Sequence, residues 1–352
     1  MSEKVKKYII KISLSMLVII ILSISIFINQ VIAPYFSNRI PIVDKDVVNT
    51  DTIDVILPNI DNITNSENKG NVESNKSPIE SSKPVDIYYQ EQKSDDIVNI
   101  LLVGMDARQY QTVSRSDTMI LVSYNKTKHS IKMVSFLRDT WVYIPEMGWQ
   151  RINAATAFGG TGLLINTINY NFDLDIQNYI QVRFEDFETI VNILGGIDVE
   201  LTWDEIQYIN YKLHTEDFDY SNDIIEEPGV IHLNGKQALW HCRNRSIGNS
   251  DWSRTERQRD VLNILLQKGM SMSISQAALM IYELREHCNT NLDIYNILVL
   301  CKDALISKNI SVESVALPFD DTWQYENIEG MSVMTIDLER TKEILHKFLE
   351  IE

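Results

Sequence analysis

Between residues 97 and 137 the chain carries three apolar runs, IVNILLVG (97–104), DTMILVSY (117–124) and SIKMVSFL (130–137). Runs of this length, ending on turn residues, are the signature of buried strands. The polar NKTK (125–128) between the last two predicts a hairpin. YIQVRF (179–184), IDVEL and SVESVALP (311–318) add further strands. Helical patterns lie among them. INAATAFGGTGLLINTINYNF reads as a helix bent near Gly159-Gly160, and EDFETIVNIL as an amphipathic helix stopped by Gly195-Gly196. NGKQALWHC (234–242), 251–270, 273–287, 291–306 and 335–350 are also helical in pattern, with Asp251 a candidate N-cap. Strands interleaved with helices predict an α/β domain with helices on both faces of a sheet. The hairpin makes that sheet mixed.

The N-terminus is different in kind. Lys4, Lys6, Lys7 and Lys11 precede a stretch, Ile12 to Asn38, without a charged residue. It exceeds the roughly 20 apolar residues a membrane helix needs. Lysines on the leading side predict a cytoplasmic N-terminus and an exterior remainder. The rival is a cleaved signal peptide, whose apolar region should be shorter, about 7–15 residues, with a small-residue exit. Residues 37–95 are rich in Asn, Ser, Asp, Glu and Lys with no sustained apolar period, and predict a flexible stalk. The expected organisation is a tail (1–11), a transmembrane helix (12–36), a linker (37–95), a main domain (96–270) and a C-terminal α/β extension (271–352).

The net charge of -17 argues against nucleic acid as a partner, because such binding runs on positive charge. Against that acidity, HCRNRSIGNSDWSRTERQRD (241–260) holds five arginines and no lysine. Arg243, Arg245, Arg254 and Arg257, with Arg115 and Arg138 elsewhere, sit at the ends of expected strands and helices. Asp251, Arg254 and Gln258 share one helix face, at i, i+3 and i+7. Arginine offers phosphate a planar fork of donors and keeps its charge. The cluster therefore suits a phosphorylated ligand. Simple pairing with Asp and Glu in an acidic protein is the alternative.

Asp106 follows the first strand and Asp117 opens the second. If those strands are antiparallel neighbours, both carboxylates reach one sheet edge, where they repel unless a proton or cation lies between them. Mg²⁺ takes one or two carboxylates plus phosphate oxygens; turn and strand capping by the same aspartates is the other explanation. No Walker motif, G-x-G-x-x-G, G-x-S-x-G or metal-ligand cysteine spacing is present. Cys242 is expected to be a buried structural thiol.

GMDAR, RSDTMILVSYN, VSFLRDTWVYIP, RINAA with GG, LGGIDVEL, HLNGKQALWHCRNR and SRTERQRDVL follow one another over about residues 97–270. In content and order they resemble the LytR-CpsA-Psr family. The resemblance implies an α-β-α sandwich whose pocket holds a polyprenyl tail. It implies a membrane-anchored phosphotransferase that moves a glycopolymer, of teichoic acid or capsule type, from a polyprenyl-diphosphate carrier to a peptidoglycan hydroxyl. By motif, Asp106 and Asp117 match metal-associated aspartates for Mg²⁺ (or Mn²⁺). Arg115, Arg138, Arg243, Arg245, Arg254, Arg257 and Gln258 match the diphosphate-binding set, with Arg138, Asp251 and Arg254 in catalytic roles; Asp251, or alternatively Asp106, is the expected carboxylate that assists deprotonation of the sugar hydroxyl. The family usually has Pro at Leu137, a small residue at Met105 and Lys at Arg151. A non-catalytic wall-polymer-binding or regulatory protein and a polyprenyl-diphosphate hydrolase would use the same residues.

Overall fold

In a computed structural model the described residues are 42–43, 85–88, 91–106, 114–216, 223–307 and 310–351. The expected transmembrane helix over 12–36 and the tail before it lie outside them. Among the described residues no helix is long and apolar enough to cross a membrane.

The three apolar runs form β3 (Ile97–Met105), β4 (Ser116–Asn125) and β5 (Ser130–Phe136), after the short parallel pair β1 (Ile42–Val43) and β2 (Ile87–Tyr88). β3, β4 and β5 pair antiparallel in sequence, so the hairpin forms as the pattern predicts. Two hairpin strands follow, β6 (Trp141–Ile144) and β7 (Gly148–Arg151). Then come α1 (Ala154–Phe172), β8 (Asn178–Arg183), α2 (Phe184–Ile193), β9 (Ile197–Leu201) and α3 (Trp203–Glu216). β10 (Gly229–Leu233), α4 (Gly235–Arg243), α5 (Ser250–Met270) and α6 (Ile274–Leu284) continue the chain. β11 (Asn289–Thr290), α7 (Ile294–Ile306), β12 (Ser311–Leu317), β13 (Trp323–Ile328), β14 (Met331–Ile336) and α8 (Leu338–Leu349) complete it. The central six-stranded sheet runs β11-β8-β3-β4-β5-β12. β8 and β12 lie parallel to β3 and β5, so the sheet is mixed. Both edge strands come from beyond residue 270, so that segment completes the domain's own sheet.

Alternation along the strands sends side chains to two different cores. Leu101, Val103, Met119, Leu121, Val134 and Phe136 pack on one face against α1 and α8. Ile120, Tyr124, Ile131 and Met133 pack on the other, against Leu262 and Leu266 of α5 and Leu300 of α7. A satellite core joins α2, α3, α4, β9 and β10.

The linker expected over 37–95 is corrected at residues 85–88, which are bound to α1. Ile87 is fully buried, and Tyr88 N donates to Asn166 Oδ1 at 2.9 Å. The Gly159-Gly160 break makes room for this. Gly160 takes φ 70°, and Val85 N donates to Gly159 O at 2.9 Å. At Gly162 a Cβ would stand 1.8 Å from Val85 O, a backbone clash that leaves only glycine there. The polar composition around this segment hid a contact whose signal resides in α1.

Candidate functional site

The carboxyl ends of β3, β8, β5 and β12 meet at one edge of the sheet, where β4 begins. Met105 pairs with Arg183, and Phe136 with Leu317. The ladder shifts between Gly104 and Met105, so Met105 faces Ser116. This bulge places Asp106 and Asp117 on adjacent strand ends, as antiparallel pairing predicts. Ligands of open α/β sheets bind beyond the carboxyl ends of strands. Here those ends carry Asp106, Arg138 and Arg183, and the first turn of α5 brings Asp251 and Arg254.

Three arginines converge on two carboxylates. Asp117 Oδ1 lies 3.2 Å from Arg138 Nη1, 3.5 Å from Arg245 Nη2 and 3.8 Å from Arg254 Nη1. Asp251 lies 3.2 Å from Arg138 Nε, 3.3 Å from Arg245 Nε and 3.4 Å from Arg254 Nη2. The pairing alternative is therefore partly realised, yet three positive charges meet two negative ones. Burial works against the Arg138 charge, but Asp251, Asp139 and Asp117 outweigh it and raise its pKa. Arg254 is 2% exposed, and burial pulls its pKa down to about 10 against the attraction of Asp251 and Asp117. It stays cationic at neutral pH. Its Nε and Nη2, and Asp251 Oδ1, are buried and make no hydrogen bond among the described residues. Ion-pair distances are present there without hydrogen-bond geometry. Unmade buried hydrogen bonds cost about 1–3 kcal/mol each, so this is a network whose donors suit a further anion.

The other expected residues divide. Arg243 lies 3.6 Å from Asp106 and stacks over Phe184 and Trp240, at 4.6 and 4.9 Å. Arg115 is exposed one residue ahead of β4. Gln258 donates to Cys242 O at 3.3 Å, behind the cluster.

Arg257 stands apart from the arginine cluster. Its Nε donates to buried Glu205 at 2.9 Å, and Nη1 and Nη2 donate to Asn244 O and Ile247 O, both at 3.2 Å. Nη1 and Nη2 thus hold the loop that carries Arg245, while Nε ties α5 to α3. Asp251 is not the helix cap; Asn249 occupies that position, and Asp251 serves the arginines instead. Cys242 is a buried free thiol, pushed up to about 12 by burial.

Sequence reasoning missed Asp139 and Arg183. Asp139 lies 3.6 Å from Arg138 Nε and 3.3 Å from Arg151 Nη1. Arg183 ends β8 beside Met105 and pairs with Asp186 at 2.7 Å. The available signals were the charged Arg183 at the end of the run YIQVRF and the Arg138-Asp139 pair shortly after β5.

His241, beneath this loop, is held down to about pKa 4 by burial, with Glu205 opposing and Arg257 adding. Unfolded histidine titrates near about 6.5. Between these values the unfolded chain binds the proton and the folded chain does not. Stability is thus complete above about pH 6.5 and falls as pH drops toward about 4. Calorimetry should show a melting temperature that declines from about pH 7 to about pH 5, and declines less in His241→Asn.

A mixed α/β sheet carries an arginine-rich, partly desolvated cluster at its strand ends, a charge arrangement that suits an anion. The LytR_cpsA_psr family model matches residues 60–348, and the chain belongs to that family. Among its relatives is the polyisoprenyl-teichoic acid–peptidoglycan teichoic acid transferase TagT of Bacillus subtilis. It is 32% identical over 182 residues, 51% of this chain and 54% of that protein. The corresponding transferase TagU of Oceanobacillus iheyensis is 31% identical over 245 residues, 66% of this chain and 72% of that one. The chain thus spans about half the length of the first of these relatives. Among solved structures, TagT bound to LIIa-WTA aligns at TM-score 0.60 and 28% identity, covering 74% of this chain and 94% of that one. TagT with bound octaprenyl pyrophosphate lipid aligns at TM-score 0.56 and 26% identity, covering 74% and 93%.

Proposed function

We propose that this chain is an extracytoplasmic, membrane-anchored phosphotransferase. It would move a glycopolymer, of teichoic acid or capsule type, from a polyprenyl-diphosphate carrier to a peptidoglycan hydroxyl. The observation that carries this is the convergence of Arg138, Arg245 and Arg254 at the strand ends, with buried unbonded donors on Arg254. The names of TagT and TagU, and the lipid and wall-polymer complexes of TagT, support the same reading.

The proposed chemistry follows from charge. The acceptor oxygen bonds to the sugar-side phosphorus, the bridging P–O bond breaks, and polyprenyl phosphate leaves with the electron pair. The hydroxyl proton passes to solvent or to a carboxylate at the mouth, of which Asp106 is the most exposed, at 47%. Arg138, Arg245 and Arg254 bind the phosphoryl oxygens and oppose the charge that develops on them. Phosphoryl transfer needs mainly positioning and electrostatics, so no covalent nucleophile is required. Asp251, surrounded by the three arginines, positions them rather than acting as a base.

Asp106 and Asp117 fit a divalent cation by their chemistry, as two carboxylates on adjacent strand ends. No group of three or more His, Cys, Asp or Glu gathers among the described residues, so water or phosphate oxygens would complete the shell. Mg²⁺ or Mn²⁺ held there would withdraw charge from the diphosphate. The tail's bed is the face under α5 and α7, where Leu102, Val122, Leu262, Leu266 and Leu300 are only partly buried. α5 leads there directly from Arg254.

Binding of octaprenyl diphosphate and octaprenyl monophosphate to the full chain in detergent tests this reading. The diphosphate should bind at least about tenfold more tightly, each charge-assisted contact contributing about 1.5–3 kcal/mol. Equal affinities would contradict it.

A further inference from the structure

A second concave feature lies on the other side of the sheet from the proposed tail bed. It is a groove of about 490 Å³ between the β6–β7 and β13–β14 hairpins, lined by Trp141, Trp149, Ile328, Thr335, Ile336 and Leu338 among others. Among the described residues no charged side chain lines it. Its volume falls within the range of about 300–1,000 Å³ usual for ligand sites. Trp149 is 55% exposed and Tyr170 50%, and Tyr143 stands between them, 6.1 Å and 5.6 Å away. Large apolar rings kept in water beside a cleft mark a binding surface.

The β6–β7 wall of the groove is tied to the arginine cluster. Trp141 follows Arg138 by three residues. Arg151 at the end of β7 forms an ion pair with Asp139, which lies 3.6 Å from Arg138, and donates to Ser332 O at 2.6 Å. A second aromatic row starts at Trp252, the neighbour of Asp251. Trp323 packs on it at 5.5 Å, and Tyr325 on Trp323 at 4.9 Å.

We propose that this groove is a subsite for an uncharged glycan strand. A pyranose ring has one face of C–H groups that lies on indole or phenol and a rim of hydroxyls that stays with water or polar groups. A polyanionic polymer would need cations, and the lining offers none. A polyprenyl tail already has its apolar bed across the sheet. The groove thus gives residues 323–338 of the C-terminal segment a role. That the strand is the acceptor, and that a polyprenyl tail is not the occupant, both rest on the transferase reading.

The test titrates the full chain in detergent with an N-acetylglucosamine tetramer, reading tryptophan fluorescence and saturation-transfer NMR. Saturable binding is expected, weakened about tenfold by Trp149→Ala and largely kept by Trp149→Phe, which retains a ring. Trp149 is exposed, so the melting temperature should not move. As a second variant independent of stacking, Thr335→Arg fills the groove and should also weaken binding. Octaprenyl diphosphate binding should be unchanged in all three variants, which separates a failure here from a failure of the head-group site. No saturable binding, equal affinity in Trp149→Ala, displacement of the tetramer by octaprenyl diphosphate, or a preference for poly(glycerol phosphate) would each overturn the proposal.

Discussion

Arg138→Ala is expected to lower glycopolymer transfer by about a thousandfold or more, with unfolding free energy changed by no more than about 1 kcal/mol. Arg138 stands at the end of β5 with its guanidinium between Asp117 and Asp251. Its removal leaves both carboxylates beside Arg245 and Arg254, so no buried charge is stranded. What is lost is a fork of donors aimed at the phosphoryl oxygens, the kind of contact that matters most in a transition state. Transfer rates and urea denaturation of the same preparation check both halves. A variant that keeps full activity would remove Arg138 from the site.

Arg257→Met should behave in the opposite way. Arg257 and Glu205 form a pair that is mostly buried on both sides, and Arg257 also holds the carbonyls of Asn244 and Ile247. Breaking such a pair leaves an uncompensated carboxylate and is expected to cost about 3–5 kcal/mol. Burial opposes the Glu205 charge, but Thr202 and Arg257 outweigh it and hold its pKa below the usual range. Replacing both members as Glu205→Gln with Arg257→Met should recover much of the loss, because the stranded charge disappears. Denaturation of the single and double variants measures this. Equal stability of Arg257→Met and the native chain would show that Arg257 is not structural.

These two arginines also mark how far the sequence could be followed. β3, β4 and β5 were legible because each is a local run with a local turn. The shared edge for Asp106 and Asp117 followed from their pairing. Arg254 and Arg257 sit three residues apart, which is about 300° around a helix. That leaves them on neighbouring stripes, and the packing of α3 and α4 decides which one meets Glu205. Periodicity holds no information about that. β12 was read as a strand, but its place beside β5 depends on contacts some 180 residues apart. Trp252 and Trp323 are likewise remote in sequence, so an aromatic row could not be seen among dispersed rings. Asp251 has the composition of a cap and the location of an ion-pair partner, and only the fold separates the two.

The most direct measurement incubates the full chain in detergent with a polyprenyl-diphosphate glycan and a peptidoglycan oligomer, with Mg²⁺ or with chelator. Mass spectrometry then looks for glycan joined to the oligomer through a phosphodiester. The account predicts a conjugate that forms with Mg²⁺, fails with chelator and disappears in Arg138→Ala. Release of polyprenyl phosphate with no conjugate would make the protein a hydrolase, and tight binding of the lipid with no turnover would make it a binder; either result contradicts the transferase.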